Sequence, residues 1–128
     1  MNVILDTCTF LWIINNPKKL SNNAKNIFQD TRNKCFLSII SFWEIMILHS
    51  LKRINFKSNP EEMLIKKCKK ENINILPLSI TSIFKLDKLP QIHKDPFDRI
   101  IICQALTNNL SILTPDKEIS KYSVDVIW

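Results

Sequence analysis

Four acidic side chains stand where the apolar pattern of this chain breaks. Asp6 directly follows the apolar run Val3-Ile4-Leu5, and Glu44 lies in the segment Ser38-Ile39-Ile40-Ser41-Phe42-Trp43-Glu44-Ile45. Asp98 belongs to the charged stretch His93-Lys94-Asp95-Pro96-Phe97-Asp98-Arg99, which runs straight into Ile100-Ile101-Ile102-Cys103-Gln104-Ala105-Leu106. Asp116 ends Leu113-Thr114-Pro115-Asp116. Carboxylates gathered in one place raise one another's pKa and need a counter-charge. The natural one is a hard, oxygen-liganded divalent cation, Mg²⁺, with Mn²⁺ as the alternative. The chemistry therefore depends on whether the elements around these acids bring them together.

Short apolar runs alternate with helical patterns along the chain. Strands are expected at residues 2–5, 35–38, 73–76, 111–113 and 124–127, and helices at about 9–15, 22–32, 41–48, 60–72, 79–88 and 96–108, with a short helix opening at Thr114-Pro115-Asp116. Ser21 and Ser41 read as N-caps, and Asn108-Asn109 as the left-handed turn that glycine would otherwise make. Lys52 to Asn59 is the expected exposed loop. Strands without a polar alternate face indicate a parallel sheet buried on both sides: an α/β protein, a three-layer α/β/α sandwich around a mainly parallel five-stranded sheet. Ligands of such sheets bind beyond the carboxyl ends of the strands, where the strand order reverses. If the strands before Asp6 and Asp116 are neighbours, all four acids share that edge.

Each acid also has a plainer reading. Pro96 suits the first position of a helix, which makes Asp95 the N-cap and puts Asp98 in the first turn, where the helix dipole favours an acid. Glu44 falls three residues after Ser41, as in a capping box, and Asp116 could cap the segment after Pro115. Asp6 has the least evident structural purpose. The histidines, His49 and His93, pair with no nucleophile motif and read as surface or loop residues, with a phosphate-facing role for His93 as the sharper reading. Trp12, Trp43 and Phe97 offer stacking faces for bases, but Trp12 and Trp43 lie in apolar helices and are expected in the core or a subunit interface.

The 128 residues fit a single domain, 1–128, with one real core. A net charge of +6 suits a polyanionic partner, although lysines such as Lys66, Lys67, Lys69 and Lys70 also read as a solvated helix face. The complete absence of glycine excludes the P-loop and the dinucleotide fingerprint. The four cysteines are scattered with no Cys-x-x-Cys pair, so a structural zinc site is not expected. No apolar run spans a bilayer and the start lacks a signal-peptide pattern, so a cytoplasmic protein is expected, without membrane contact.

Over essentially its whole length the chain resembles the PIN-domain ribonucleases, specifically the VapC-like toxins of bacterial toxin–antitoxin pairs. The segments that carry the resemblance are Val3-Ile4-Leu5-Asp6-Thr7, Ser38 to Ile45, His93 to Arg99 with Gln104-Ala105, Leu113 to Asp116, and the terminal Val124-Asp125-Val126-Ile127-Trp128. It implies a Mg²⁺-dependent endoribonuclease that leaves a 5′-phosphate and a 3′-hydroxyl, paired with an antitoxin protein. By position, Asp6, Glu44, Asp98 and Asp116 carry over as the acidic quartet, with Asp6 and Asp98 as direct metal ligands and Asp95 as the less certain fifth acid. Thr7 and Thr114 would orient carboxylates, and Arg99 would meet substrate phosphate or pair with an acid. The departures are Cys8, Leu48, and the missing glycines near residues 52 and 109. The apolar helices around Phe10–Ile14 and Trp43–Leu48 predict a homodimer and a groove for an antitoxin segment.

Three other classes compete. A metal-free RNA-binding or regulatory module would use the acids only as helix caps. An aspartate-nucleophile phosphatase would place a second acid where Cys8 stands, and a phospho-receiver would end its third strand on an acid rather than on Leu76-Pro77.

Overall fold

The computed structural model describes residues 1–128. In chain order the elements are β1 (Asn2–Leu5), α1 (Thr7–Asn15), α2 (Asn22–Gln29), β2 (Lys34–Ser38), α3 (Ile39–Ser50), α4 (Pro60–Lys70), β3 (Ile73–Leu76), α5 (Ile80–Phe84), α6 (Pro96–Asn108), β4 (Ser111–Leu113) and β5 (Val126–Ile127). The sheet order is β3-β2-β1-β4-β5, and every pairing is parallel. β1 is central: Leu5 lies in register with Leu37 on one side and Leu113 on the other. From β1 the chain builds outward through β2 and β3, then returns to lay β4 and β5 on the opposite side. The strand order therefore reverses between β1 and β4.

Alternation along the strands divides the core in two. Leu5, Leu37 and Leu113 face one side, with Phe10 and Ile13 of α1, Ala24 of α2, Ile45 of α3 and Leu64 of α4. Ile4 and Ile112 face the other, with Ile101, Ile102 and Ala105 of α6 and the loop residues Ile119 and Tyr122. A sheet covered on both faces needs apolar residues on both, which is why β1 and β4 are apolar in succession after their first residues, Asn2 and Ser111.

Several boundaries differ from the expectation. α1 starts at Thr7, and its N-cap is Asp6, whose Oδ1 accepts the Thr9 N–H at 2.8 Å. Asp6 thus has a structural purpose as well as a chemical opportunity. α3 is capped by Ser38 rather than Ser41, so Glu44 lies well inside the helix and forms no capping box. The 79–88 segment divides into α5 and a 3-10 turn over Lys85–Lys88. No helix opens at Asp116; its Oδ1 accepts the Glu118 N–H in a turn, and a 3-10 turn follows at Ile119–Lys121. Three non-glycine residues take positive φ: Lys52 (59°), Asn72 (55°) and Asn109 (54°). Two of these, Lys52 and Asn109, stand where glycine was missed. No helix is long and apolar enough to cross a membrane.

Candidate active site

The site is built on the carboxyl edge where β1 and β4 meet. Because Leu5 is in register with Leu113, the next residues, Asp6 and Thr114, leave the sheet side by side. The Thr114 hydroxyl donates to Asp6 Oδ2 at 2.5 Å and accepts the Asp116 N–H at 3.0 Å. One side chain therefore orients the first acid and fixes the backbone of the last. Asp6 is almost fully buried, with its other oxygen capping α1.

α6 supplies the third acid. Asp95 Oδ1 accepts the N–H groups of Phe97 and Asp98, at 2.9 and 3.2 Å, so Asp95 is the N-cap and Asp98 sits in the first turn. His93 Nε2 lies 3.3 Å from Asp98 Oδ2. Glu44 comes from α3, which packs against both α1 and α6. The Thr7 hydroxyl beside it donates to Ser41 Oγ at 2.9 Å, and buried Glu44 Oε1 is left with no hydrogen-bond partner.

The electrostatics show these acids within one another's field. Burial pushes Asp98 up to about 7, aided by the charges of Asp95, Asp6 and Asp116 against the pull of the His93 hydrogen bond. Asp6 is raised by burial, with Asp116 adding to it while the Thr114 and Thr9 hydrogen bonds oppose. Glu44 is raised by burial, with Asp95 and Asp6 adding to it against the pull of the neighbouring Thr7 hydroxyl. Cys8, exposed at the start of α1, feels the same field: burial of its thiol and the charges of Asp6, Asp116 and Asp98 push it up to about 11, so it stays a thiol.

The donors are all oxygens, they are partly desolvated, they repel one another, and one has no partner; this set fits a hard divalent cation. As the side chains stand, no three acids, histidines or cysteines are drawn into a finished cage.

Some residues sit differently from the expectation. Arg99 is buried, and its guanidinium donates to the carbonyls of Leu89 and Pro90 and to the Tyr122 hydroxyl. It forms no ion pair with an acid. His93 lies in the loop before α6, as expected, but is half-buried there between Tyr122 and Asp98. Trp43 is 61% exposed and meets Phe97 edge-on at 5.3 Å, beside Glu44 and Asp98 in sequence. Trp12 packs on Trp128 in the partly buried margin of the core. The sequence reading passed over Tyr122 and gave Ser41 only a capping role; their partners here lie 23 and 34 residues away. The unmatched polarity of Tyr122 within Ile119-Ser120-Lys121-Tyr122 gave no local signal.

The fold is similar to that of several solved structures. The chain superposes on one from the DNA-bound VapBC2 crystal structure of Rickettsia felis with a TM-score of 0.74, at 18% identity, covering 100% of this chain and 99% of that one. For the DNA-bound VapBC of Salmonella typhimurium the TM-score is 0.69, at 18% identity, with 99% and 97% covered. For VapBC-1 of nontypeable Haemophilus influenzae it is 0.64, at 20% identity, with 99% and 97% covered. No curated protein sequence matches the chain. The PIN domain family matches residues 3–125, which takes in all four acids and both halves of the sheet. The chain belongs to the PIN-domain family, a family of nucleases.

Proposed function

We propose that this protein is a divalent-metal-dependent endoribonuclease, a single domain over residues 1–128, and the toxin of a toxin–antitoxin pair acting in the cytoplasm. The observation that carries this reading is the mutual field of Asp6, Asp98 and Asp116 at the β1–β4 edge, with the unpartnered Glu44 oxygen on the neighbouring helix. Such an arrangement costs stability unless positive charge is added. A bound Mg²⁺ would supply that charge, polarise the scissile phosphodiester and acidify an attacking water.

The chain's own residues divide the remaining work. Asp6 and Asp98 are the direct ligands, and Glu44 and Asp116 complete the oxygen set. Thr114 holds Asp6 in one rotamer, and Asp95 fixes the first turn of α6 on which Asp98 rides. The net charge of +6 draws a polyanion such as RNA toward the site. Exposed Trp43, with the half-buried Phe97 ring edge-on to it, offers an aromatic face against which a base could stack.

The antitoxin partner rests on the similar structures being toxin–antitoxin complexes. A groove of about 440 Å³ between α3 and α4, lined by Phe42, Met46, Pro60, Leu64 and Ile65, is a fitting seat for an apolar segment of it.

The test is purified protein on RNA. Cleavage is expected with Mg²⁺, none with EDTA, and none from Asp6→Asn or Asp98→Asn in Mg²⁺. Parental rates in both variants would remove the quartet from the active site. Cleavage that persists in EDTA would favour a metal-free nuclease.

A further inference from the structure

Arg99 is a buried cation with no carboxylate partner. Its Nη1 donates to the Pro90 carbonyl at 2.7 Å and to the Tyr122 hydroxyl at 3.1 Å, and Nη2 to the Leu89 carbonyl at 3.4 Å. The same phenol oxygen accepts the backbone N–H of His93 at 3.1 Å and lies 2.7 Å from His93 Nδ1. A tyrosine hydroxyl has two acceptor positions and one hydrogen. Arg99 and the His93 N–H fill both acceptor positions. The phenol hydrogen is then left for the third neighbour, and Tyr122 donates it to His93 Nδ1. An imidazole N–H pointing the other way would put three donors on one oxygen.

With Nδ1 accepting, the ring hydrogen of His93 is on Nε2, the atom that faces Asp98 Oδ2 at 3.3 Å. The His93 ring also packs edge-on against the Tyr122 ring, with centroids 5.4 Å apart, so its orientation is held by packing as well as by bonding. All hydrogens along Arg99, Tyr122, His93 and Asp98 run in one direction, and each donor strengthens the next. One oxygen of Asp98 is thereby held by a donor that carries no competing lone pair.

We infer that Arg99, Tyr122 and His93 form a positioning relay: Tyr122 fixes His93 as its Nε2–H form, and His93 fixes the Asp98 carboxylate for the metal. The inference deepens the proposed function and rests on it for the metal half; the tautomer half stands on hydrogen-bond geometry alone. His93 and Tyr122 are positioning residues, not catalytic ones. In sites of this kind the donors behind a ligand are worth about 10–100-fold in metal affinity.

The relay is tested in two measurements on the full chain. Long-range ¹H–¹⁵N spectra of the metal-free protein at about pH 9, where Asp98 is ionised, should show His93 with its hydrogen on Nε2; a His49→Gln variant assigns the signals of the two histidines. Tyr122→Phe should lose that preference and populate both tautomers. A parent with His93 in the Nδ1–H or doubly protonated form overturns the relay. Calorimetric Mn²⁺ titrations then read the coupling. His93→Ala should bind about 10–100-fold more weakly. His93→Gln, whose amide N–H reaches the former Nε2 position, should recover most of that loss, with Tyr122→Phe in between. Parental affinity in His93→Ala, or no recovery in His93→Gln, overturns the coupling. If His93→Ala does not fold, Tyr122→Phe and the parent spectra still decide. A parent with no Mn²⁺ affinity would refute the metal reading, and the spectra would judge the relay separately.

Discussion

Asp98 concentrates the tension at this site in one residue. Its carboxyl is pushed up to about 7 by burial and by the acids around it, against an ordinary value of 3.8. A carboxyl whose folded pKa is raised favours the folded state most when protonated. That contribution is fully present below the unfolded value and is lost as pH rises through the folded one. Asp6 and Glu44 are raised in the same sense. The metal-free protein is therefore expected to melt at a lower temperature at pH 8 than at pH 5, and Asp98→Asn should flatten that slope. Millimolar Mg²⁺ should oppose the slope, because the ion binds the ionised form. Melts at the two pH values, with and without Mg²⁺, check this. A separate expectation concerns Asp6, which both caps α1 and belongs to the acid group. Asn caps as well as Asp, so Asp6→Asn should fold with nearly parental stability while cleavage is lost, a fall well beyond the about 100-fold scale of one lost electrostatic group at a reacting centre. Asp6→Ala should lose the same activity and also about 0.5–2 kcal/mol of stability in denaturant titration.

At the scale of elements, the ends matter more than the middles. α6 presents Asp98 because Asp95 and Pro96 start the helix at one defined place. Asn109 stops it in the left-handed conformation, at φ 54°, and so aims the chain into β4 and toward Asp116. Lys52 does a similar task after α3 at φ 59°, with a side chain that disfavours it. Left-handed backbone costs a non-glycine residue about 1–2 kcal/mol. Lys52→Gly is therefore expected to stabilise the protein by about 1 kcal/mol, and Asn109→Ala to destabilise it by a similar amount, with activity per folded molecule unchanged for Lys52→Gly. Chemical denaturation of both variants reads the two signs.

The whole molecule keeps apolar surface that its core does not use. α1 is largely absorbed, with Phe10 and Ile13 buried. α3 is not: Ile39, Trp43 and Met46 remain exposed, as do Ile80, Ile83 and Phe84 on and beside α5. Patches of this kind mark interaction sites. A homodimer is expected, with twice the 15.0 kDa chain mass by light scattering. A strictly monomeric mass at about tens of micromolar, where interfaces of micromolar affinity are occupied, would count against it. The proposed joint action of the acids would also belong to the whole chain, since they come from four elements. Mg²⁺ at about 100 times its Kd should add about 2.7 kcal/mol by mass action, and this gain should vanish in the Asp6→Asn/Asp98→Asn double variant. A double variant that keeps the full effect would show the ion binding elsewhere.

The α/β character, the position of all five strands and the caps at Ser21, Asp95 and Asn109 were legible in the residues, because alternation, proline and capping chemistry act over a few positions. The same locality made the acids ambiguous. Asp6 and Asp95 do cap helices, and the capping box drawn between Ser41 and Glu44 dissolves because Ser38 takes the cap first. Only the tertiary structure decided that β1 lies beside β4, which carries Asp6 to Thr114 across 108 residues. It also decided that Arg99 and His93 turn inward to Tyr122 instead of outward to a phosphate. A sequence states which groups a residue offers to its neighbours along the chain. Which of those groups remain unpaired at the site is set by contacts between segments that the chain order keeps far apart.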